Sequence, residues 1–294
     1  DHARQRTAAA LACMITEATW EAAEVLQEEP LSGGNTTVVV RVGDTVRRPV
    51  GPWTPAVHDL LHHLADVGFT GSPRVLGIDG AAREVLQFVP GEVGTLSPSQ
   101  PLPPWFRTEE ACWTIGRWIR DFQRAQSGLR LDPTKPWRRA PGSALHDGQV
   151  VVHHDVSPYN TVRRPDGSLV VLDWDFARPG DPIEDLAWAA WRWVPLMAGD
   201  WWHVEYGVED AEDVVTRQRC NLAALLDGYG PSAEQRLALT DAITAQMTHH
   251  ATDLEEMARA DPAFAQLVER DFARLARADA DWWVSSGHGV RWRA

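Results

Sequence analysis

The sequence predicts an α+β protein in two lobes, a small antiparallel β-rich lobe followed by a larger, mostly helical one that carries a single β-hairpin. Three observations carry that expectation. Thr36 to Val42 is β-branched almost throughout, Gly43-Asp44 turns the chain and Thr45 to Arg48 returns it, which is a hairpin pattern. Beyond residue 183 the apolar residues recur at helical spacing, with breaks at Gly and Pro. Between these regions two short apolar strands, Gln149 to His153 and Leu169 to Leu172, flank the turn Pro165-Asp166-Gly167.

Taken in order, residues 7 to 28 place Ala, Leu, Met and Glu at helical spacing, and the segment Pro30 to Asn35 stops that helix, so residues 1–28 are expected to form a leading helical segment. Glu17 and Glu21 follow the apolar run Ala8 to Ile15 at once, which favours a helix over a secretory leader and a cytoplasmic location. No stretch approaches the roughly 18 apolar residues that a membrane span needs. Thr54 is expected to cap the next helix, with Pro55 at its first position and Val57, Leu60, Leu61 and Leu64 along one face. Arg74 to Ile78 and Glu84 to Val89 are expected strands. The lobe boundary is placed near residue 91, giving a small lobe over 29–91 and a large lobe over 92–294. A Pro-, Ser- and Gly-rich connector over Gly94 to Pro104 precedes an amphipathic helix over Glu109 to Gln126. Four more helices are expected over Asp185–Trp193, Asp210–Asp227, Ser232–Arg259 and Pro262–Trp283.

Composition narrows the function. The chain has 294 residues, of which 44% are hydrophobic and 23% charged, an ordinary globular composition that can bury a full core. Its formal charge of -13 argues against a nucleic-acid binder, whose affinity rests on neutralising phosphates with Lys and Arg. Cys13, Cys112 and Cys220 are odd in number and far apart, so they indicate neither a disulfide framework nor a thiolate zinc site. No GxxxxGK[ST] motif occurs, which excludes a Walker-type nucleotide site.

The chemistry concentrates in His153-His154-Asp155-Val156-Ser157-Pro158-Tyr159-Asn160, a Pro-containing loop leaving one strand, and in Asp173 and Asp175, delivered by the hairpin that follows. Oxygen donors clustered at strand ends suit Mg²⁺, a hard cation that takes one or two carboxylates and completes its shell with phosphate and water. A bare Asp/Asn turn would explain the residue types but not their spacing.

HHDVSPYN followed by VLDWDFA resembles the HGDxxxxN and IDW segments of the aminoglycoside phosphotransferase family, small-molecule kinases with a protein-kinase-like fold. The separations from Asp155 to Asn160 and from Asn160 to Asp173 match the catalytic loop and metal-binding Asp of kinases. The segments Gly180–Trp188 and Leu225–Gly230 are similar to family segments as well. The resemblance implies ATP and Mg²⁺ as cofactors, Asp155 as the catalytic carboxylate, and Asn160 and Asp173 as metal ligands. His153 then matches the family's His, and His154 replaces its Gly; loop packing is preferred to metal ligation for both. Asp175 is equally consistent with a metal ligand and with a loop cap.

The same resemblance places the phosphate-covering loop at Gly33, Gly34 and Asn35, where glycines let backbone N–H groups approach phosphate oxygens. Kinases also hold the α- and β-phosphates with a Lys on the third strand, paired to a helix Glu. The single lysine, Lys135, is far from that strand, so the position falls to Arg47 or Arg48, of which strand alternation admits only one to the cleft. The helix offers Val57 and His58 instead of Glu, so the ion pair is absent or supplied otherwise. Gln87 and Val89 are the expected adenine-hinge residues. These departures leave a rival reading, a pseudokinase-like module that binds nucleotide without transfer, against which stands the retention of Asp155, Asn160 and Asp173.

Asp200, Glu205, Glu209, Asp210, Glu212 and Asp213 occur together without an intervening Lys or Arg. The first four are taken as candidate substrate-binding residues for a cationic, amine-bearing small molecule such as an antibiotic; a solvated helix entrance is the competing explanation. A metabolite such as choline or a sugar remains an alternative acceptor. Trp188 and Trp191 sit at helical spacing with Pro195 and are read first as core.

Overall fold

Strand β3 (Thr45–Pro49) lies at the centre of a five-stranded antiparallel sheet with β1 (Glu28–Pro30), β2 (Val40–Val42), β4 (Val75–Ile78) and β5 (Arg83–Gln87), in the order β1-β2-β3-β5-β4. This computed structural model describes residues 27–31, 39–94, 102–139, 144–199 and 211–285, without the side chains of 211–213. The leading helix expected over residues 7 to 28 therefore falls mostly outside the described residues. Its last residue, Glu28, is in β1, where it pairs with Val42 and its carboxylate lies 2.9 Å from the Arg83 guanidinium. Ladder bonds and that ion pair override the helical preference of the local sequence.

Helix α1 (Thr54–Asp66) follows β3 and buries Val57, Leu60, Leu61 and Leu64, the face expected from its period. Thr54 is not its cap. Trp53 holds the N-cap position, and the Thr54 hydroxyl instead accepts from the Gly51 N–H at 2.9 Å, fixing the turn that enters the helix.

The large lobe contains two small sheets. β6 (Glu92–Val93), β8 (Thr161–Arg163) and β9 (Leu169–Val171) form one, and β7 (Val150–Val152) pairs with β10 (Arg178–Gly180) in the other. The Pro165-Asp166-Gly167 turn thus joins β9 to β8, not to β7 as the sequence suggested. β8 is only three residues long and ends in arginine, too little to register as an apolar strand.

Helix α2 (Glu109–Ala125) is capped by Thr108, whose hydroxyl accepts from Ala111 N–H at 3.2 Å. It packs on α4 (Ala211–Tyr229) at near-backbone contact: a Cβ on Gly116 would sit 2.2 Å from the Leu225 carbonyl oxygen, and one on Gly228 2.0 Å from that of Trp113. Helices α3 (Ile183–Trp193), α5 (Ala233–Ala258), α6 (Pro262–Glu269) and α7 (Phe272–Ser285) complete the lobe. The last two were expected as one helix. They part at Asp271, whose φ of 67° is left-handed and incompatible with helix continuation. Trp118, Phe122, Trp174, Trp188, Trp191 and Trp193 fill the core beneath the loop between β7 and β8. Among the described residues no helix is long and apolar enough to cross a membrane.

Candidate active site

The loop that leaves β7 is fixed from below before it presents any chemistry. His153 is buried, its Nε2 lies 2.9 Å from the Leu172 carbonyl oxygen, and its ring stands edge-on to Trp174. Burial holds its pKa down at about 3, so it is a neutral packing residue. His154 has a φ of 65°, the left-handed conformation that glycine adopts most easily. Both histidines donate their backbone N–H to the Asp185 carboxylate, each at 2.8 Å, from the first turn of α3. Burial raises the Asp185 pKa to about 7 against the lowering effect of those two bonds. Two tryptophans of α3 reach the same loop: Trp188 Nε1 donates to Ser157 Oγ at 2.9 Å and Trp193 Nε1 to the Val156 carbonyl at 3.1 Å.

Above this support Asp155 is held by three donors. Its Oδ1 accepts from Ser157 Oγ at 2.7 Å and from the Tyr159 hydroxyl at 3.1 Å, and its Oδ2 from Asn160 Nδ2 at 2.8 Å. Burial raises its pKa to about 6; the Ser157 and Tyr159 bonds oppose the shift, while the charge of Asp173 adds to it. A carboxylate so poised is ionised near neutrality yet basic enough to take a proton.

Asn160 turns its amide nitrogen to Asp155, which leaves its carbonyl oxygen as the available donor toward a cation. Its backbone oxygen accepts from Leu172 N–H at 2.7 Å, so the residue before Asp173 is tied to Asn160. Asp173 has a φ of 58° and a side chain 43% exposed. One amide oxygen and one carboxylate at adjoining strand ends are a hard-oxygen pair of the kind that holds Mg²⁺ when phosphate and water supply the rest. Among the described residues no group of three His, Cys, Asp or Glu side chains is placed to hold an ion.

Arg48 supplies the positive charge. Its Nη1 lies 3.1 Å from Asp173 Oδ1 and its Nη2 2.7 Å from Asp175 Oδ1, while its Nε donates to the Glu84 carboxylate. Burial would lower the Arg48 pKa, but Asp175, Glu84 and Asp173 together hold it above the usual guanidinium range. Burial likewise opposes ionisation of Glu84, which His58 and Arg48 nevertheless keep below its usual value. Asp175 is shared between Arg48 and Arg138, the latter at 3.5 Å. Between the two readings open for Asp175, this geometry places it against arginines.

The structure therefore brings Asp155, Asn160, Asp173 and Arg48 together. Arg47 turns to the opposite face of the sheet, where it meets Thr45 Oγ1 at 2.5 Å and Asp79 at 3.5 Å; alternation along β3 separates the two arginines. The backbone N–H of Gln87 already donates to the Arg74 carbonyl, and that donor is not free for adenine. Val89 packs its side chain with Val162 and Val170 under the crossing between lobes. Gly33, Gly34 and Asn35, and Asp200, Glu205, Glu209 and Asp210, lie outside the described residues. Ser157, Tyr159, Asp185 and Glu84 are the contributors that sequence reading missed. Ser157 and Tyr159 lie in the loop from His153 to Asn160 and Asp185 in the segment Gly180–Trp188, both already singled out, but the partners of all four residues are set only by the fold.

The phosphotransferase enzyme family model matches residues 113–206 of the chain. The trifolitoxin immunity protein of Rhizobium leguminosarum bv. trifolii is 34% identical over 239 residues, which are 79% of this chain and 85% of that protein. Among solved structures, a choline/ethanolamine kinase family protein from Mesorhizobium loti is similar with a TM-score of 0.57 at 17% identity, over 97% of both chains. The macrolide 2'-phosphotransferase of Brachybacterium faecium is similar with a TM-score of 0.51, also at 17% identity, over 86% of this chain and 91% of its own. At that identity the two structures speak for the fold alone, a protein-kinase-like one.

Proposed function

The chain belongs to the phosphotransferase enzyme family, and from that premise we propose that it transfers the γ-phosphoryl group of ATP to a hydroxyl of a small, amine-bearing, antibiotic-like molecule. The observation that carries this reading is the Asp155 carboxylate, ionisable near neutrality and joined through Asn160 to the segment bearing Asp173. The relative named for immunity to trifolitoxin supports a toxin or antibiotic acceptor. The acids Asp200, Glu205, Glu209 and Asp210 support an amine on it, through charge complementarity.

In this reaction Asp155 orients the acceptor hydroxyl and receives its proton as the acceptor oxygen bonds to the γ-phosphorus and the bond to the bridging oxygen of ADP breaks. Arg48 sets positive charge at the phosphate end of the cleft. Mg²⁺, held by Asn160 and Asp173, would neutralise charge on the phosphate oxygens when bound. Ser157, Tyr159 and Asn160 fix the orientation of the Asp155 carboxylate, so no reorganisation is needed when the acceptor arrives.

The test is ADP release with Mg·ATP over aminoglycosides, macrolides, peptide antibiotics and small amino alcohols. Turnover with at least one hydroxylated amine is expected, and Asp155→Ala should reduce it by roughly 10²–10⁴-fold while leaving the fold intact. Thermal stabilisation by ATP without ADP release for any compound would favour a nucleotide-binding module instead. Turnover restricted to the amino alcohols would move the acceptor to a metabolite.

A further inference from the structure

The cation at the phosphate end of the cleft has its carboxylate partner in an unusual place. Arg48 and Glu84 face each other directly across the β3–β5 ladder, so their side chains emerge on the same face of the sheet. Glu84 is 1% exposed, and its two oxygens are divided: Oε2 accepts from Arg48 Nε, and Oε1 meets His58 Nε2 at 2.7 Å. His58 stands on α1, the helix whose counterpart in kinases supplies the glutamate. A buried carboxylate is tolerated only when it is paired and hydrogen-bonded, and here Arg48 and His58 provide both conditions. The Nε edge of the guanidinium is thus committed to the sheet, which leaves its Nη edge directed at Asp173 and Asp175.

We propose that Glu84, on strand β5, is the positioning residue that aims Arg48 at the nucleotide phosphates, the carboxylate having moved from the helix to the neighbouring strand while His58 bridges the gap. Planarity makes this arrangement suit arginine. A guanidinium presents separate edges, so one strand can hold Nε while both Nη groups remain for phosphate or carboxylate oxygens. A lysine at 48 would offer a single ammonium and could not satisfy the strand and the cleft in the same way. The replacement of Lys by Arg and of the helix Glu by His are on this view one linked change, anchored by Glu84.

The proposal rests on the kinase reading, and the experiment separates the two. ATP binding to the full chain is measured by titration calorimetry with and without Mg²⁺, together with KM for ATP and kcat on any acceptor found. Glu84→Gln is expected to weaken ATP binding by roughly tenfold or more, the loss of one charge-assisted bond, and to raise KM for ATP more than it lowers kcat. Adding His58→Glu to that variant returns a carboxylate from the helix side and should recover most of the affinity, which a purely structural role for Glu84 would not produce. Should Glu84→Gln fail to fold, the double variant and Glu84→Asp, which retains the charge but shortens its reach, carry the comparison. Wild-type affinity in a folded Glu84→Gln or Glu84→Asp protein, or a folded double variant without recovery, overturns the proposal. A wild-type protein that binds no ATP would instead overturn the kinase reading, and this proposal with it.

Discussion

At the scale of single residues, the site is governed by how burial and hydrogen bonds divide the ionisation of its carboxylates. In the proposed reaction Asp155, with a pKa raised to about 6, must be ionised to accept a proton, so kcat/KM is expected to fall as pH drops through that region. Tyr159 donates to the ionised form; Tyr159→Phe removes that preference, and the acidic limb of the pH–rate profile should move to higher pH. A limb that stays put or moves down would show that another group titrates there. Asp185, raised by burial to about 7, is a structural counterpart with the opposite consequence. Because its native pKa lies above the unfolded value, the native state holds an extra proton between roughly pH 4 and pH 7, and its contribution to stability declines as pH rises through that window. Asp185→Asn lacks this dependence and loses one of two acceptors for the loop N–H groups. It should cost about 1–3 kcal/mol in urea unfolding at pH 5 and less at pH 8. Asp155 and Asn160 were legible because their spacing is a property of one short loop. Asp185 and Glu84 were not, because their roles exist only after α3 and β5 have been brought against distant backbone.

At the scale of elements, local signals worked where a segment's partner did not matter. The amphipathic period placed α2 within a residue of its observed ends, where Thr108 proves to be the cap, and the expected start at Ser232 coincides with a capping box of Ser232 and Gln235. They failed for β8 and for Glu28, whose strand state depends on the chain opposite. The contact between α2 and α4 is a further case in which propensity alone misleads. Gly228→Ala replaces a poor helix former with the best and would gain about 1 kcal/mol in an isolated helix. Here the added Cβ would lie 2.0 Å from the Trp113 carbonyl oxygen, which belongs to backbone and can retreat only if the helices separate. Overpacking of this kind costs about 1–3 kcal/mol or more, enough to reverse the sign. A net fall of several degrees in Tm is expected by calorimetry, roughly 2–4 °C per kcal/mol. A rise in Tm would mean that the two helices approach less closely than described.

At the scale of the whole molecule, the lobe order was legible because an early β-hairpin and a helical tail differ in period, whereas the device joining the lobes was not. Arg138 illustrates why. Its guanidinium lies 4.3 Å from the ring centroid of Trp53, which precedes α1, and 4.9 Å from those of Phe176, next to Asp175, and Phe264, on α6. It also faces Asp175 at 3.5 Å and Asp261 at 3.8 Å. No sequence period links these residues; only the folded chain does. A planar cation can stack on several rings while its edges meet carboxylates, which an ammonium cannot reproduce, so Arg138→Lys keeps the charge but loses the stacking. At about 0.5–1 kcal/mol per aromatic contact, the variant should be destabilised by roughly 1–3 kcal/mol. Because Trp53 belongs to the small lobe and the two phenylalanines to the large one, the ligand-free variant should also scatter X-rays with a larger radius of gyration than wild type. Mg·ATP should narrow that difference by giving the lobes a common ligand. Equal radii together with an undiminished Tm would show that the lobes are held by other interactions and that Arg138 only fills the space between three rings.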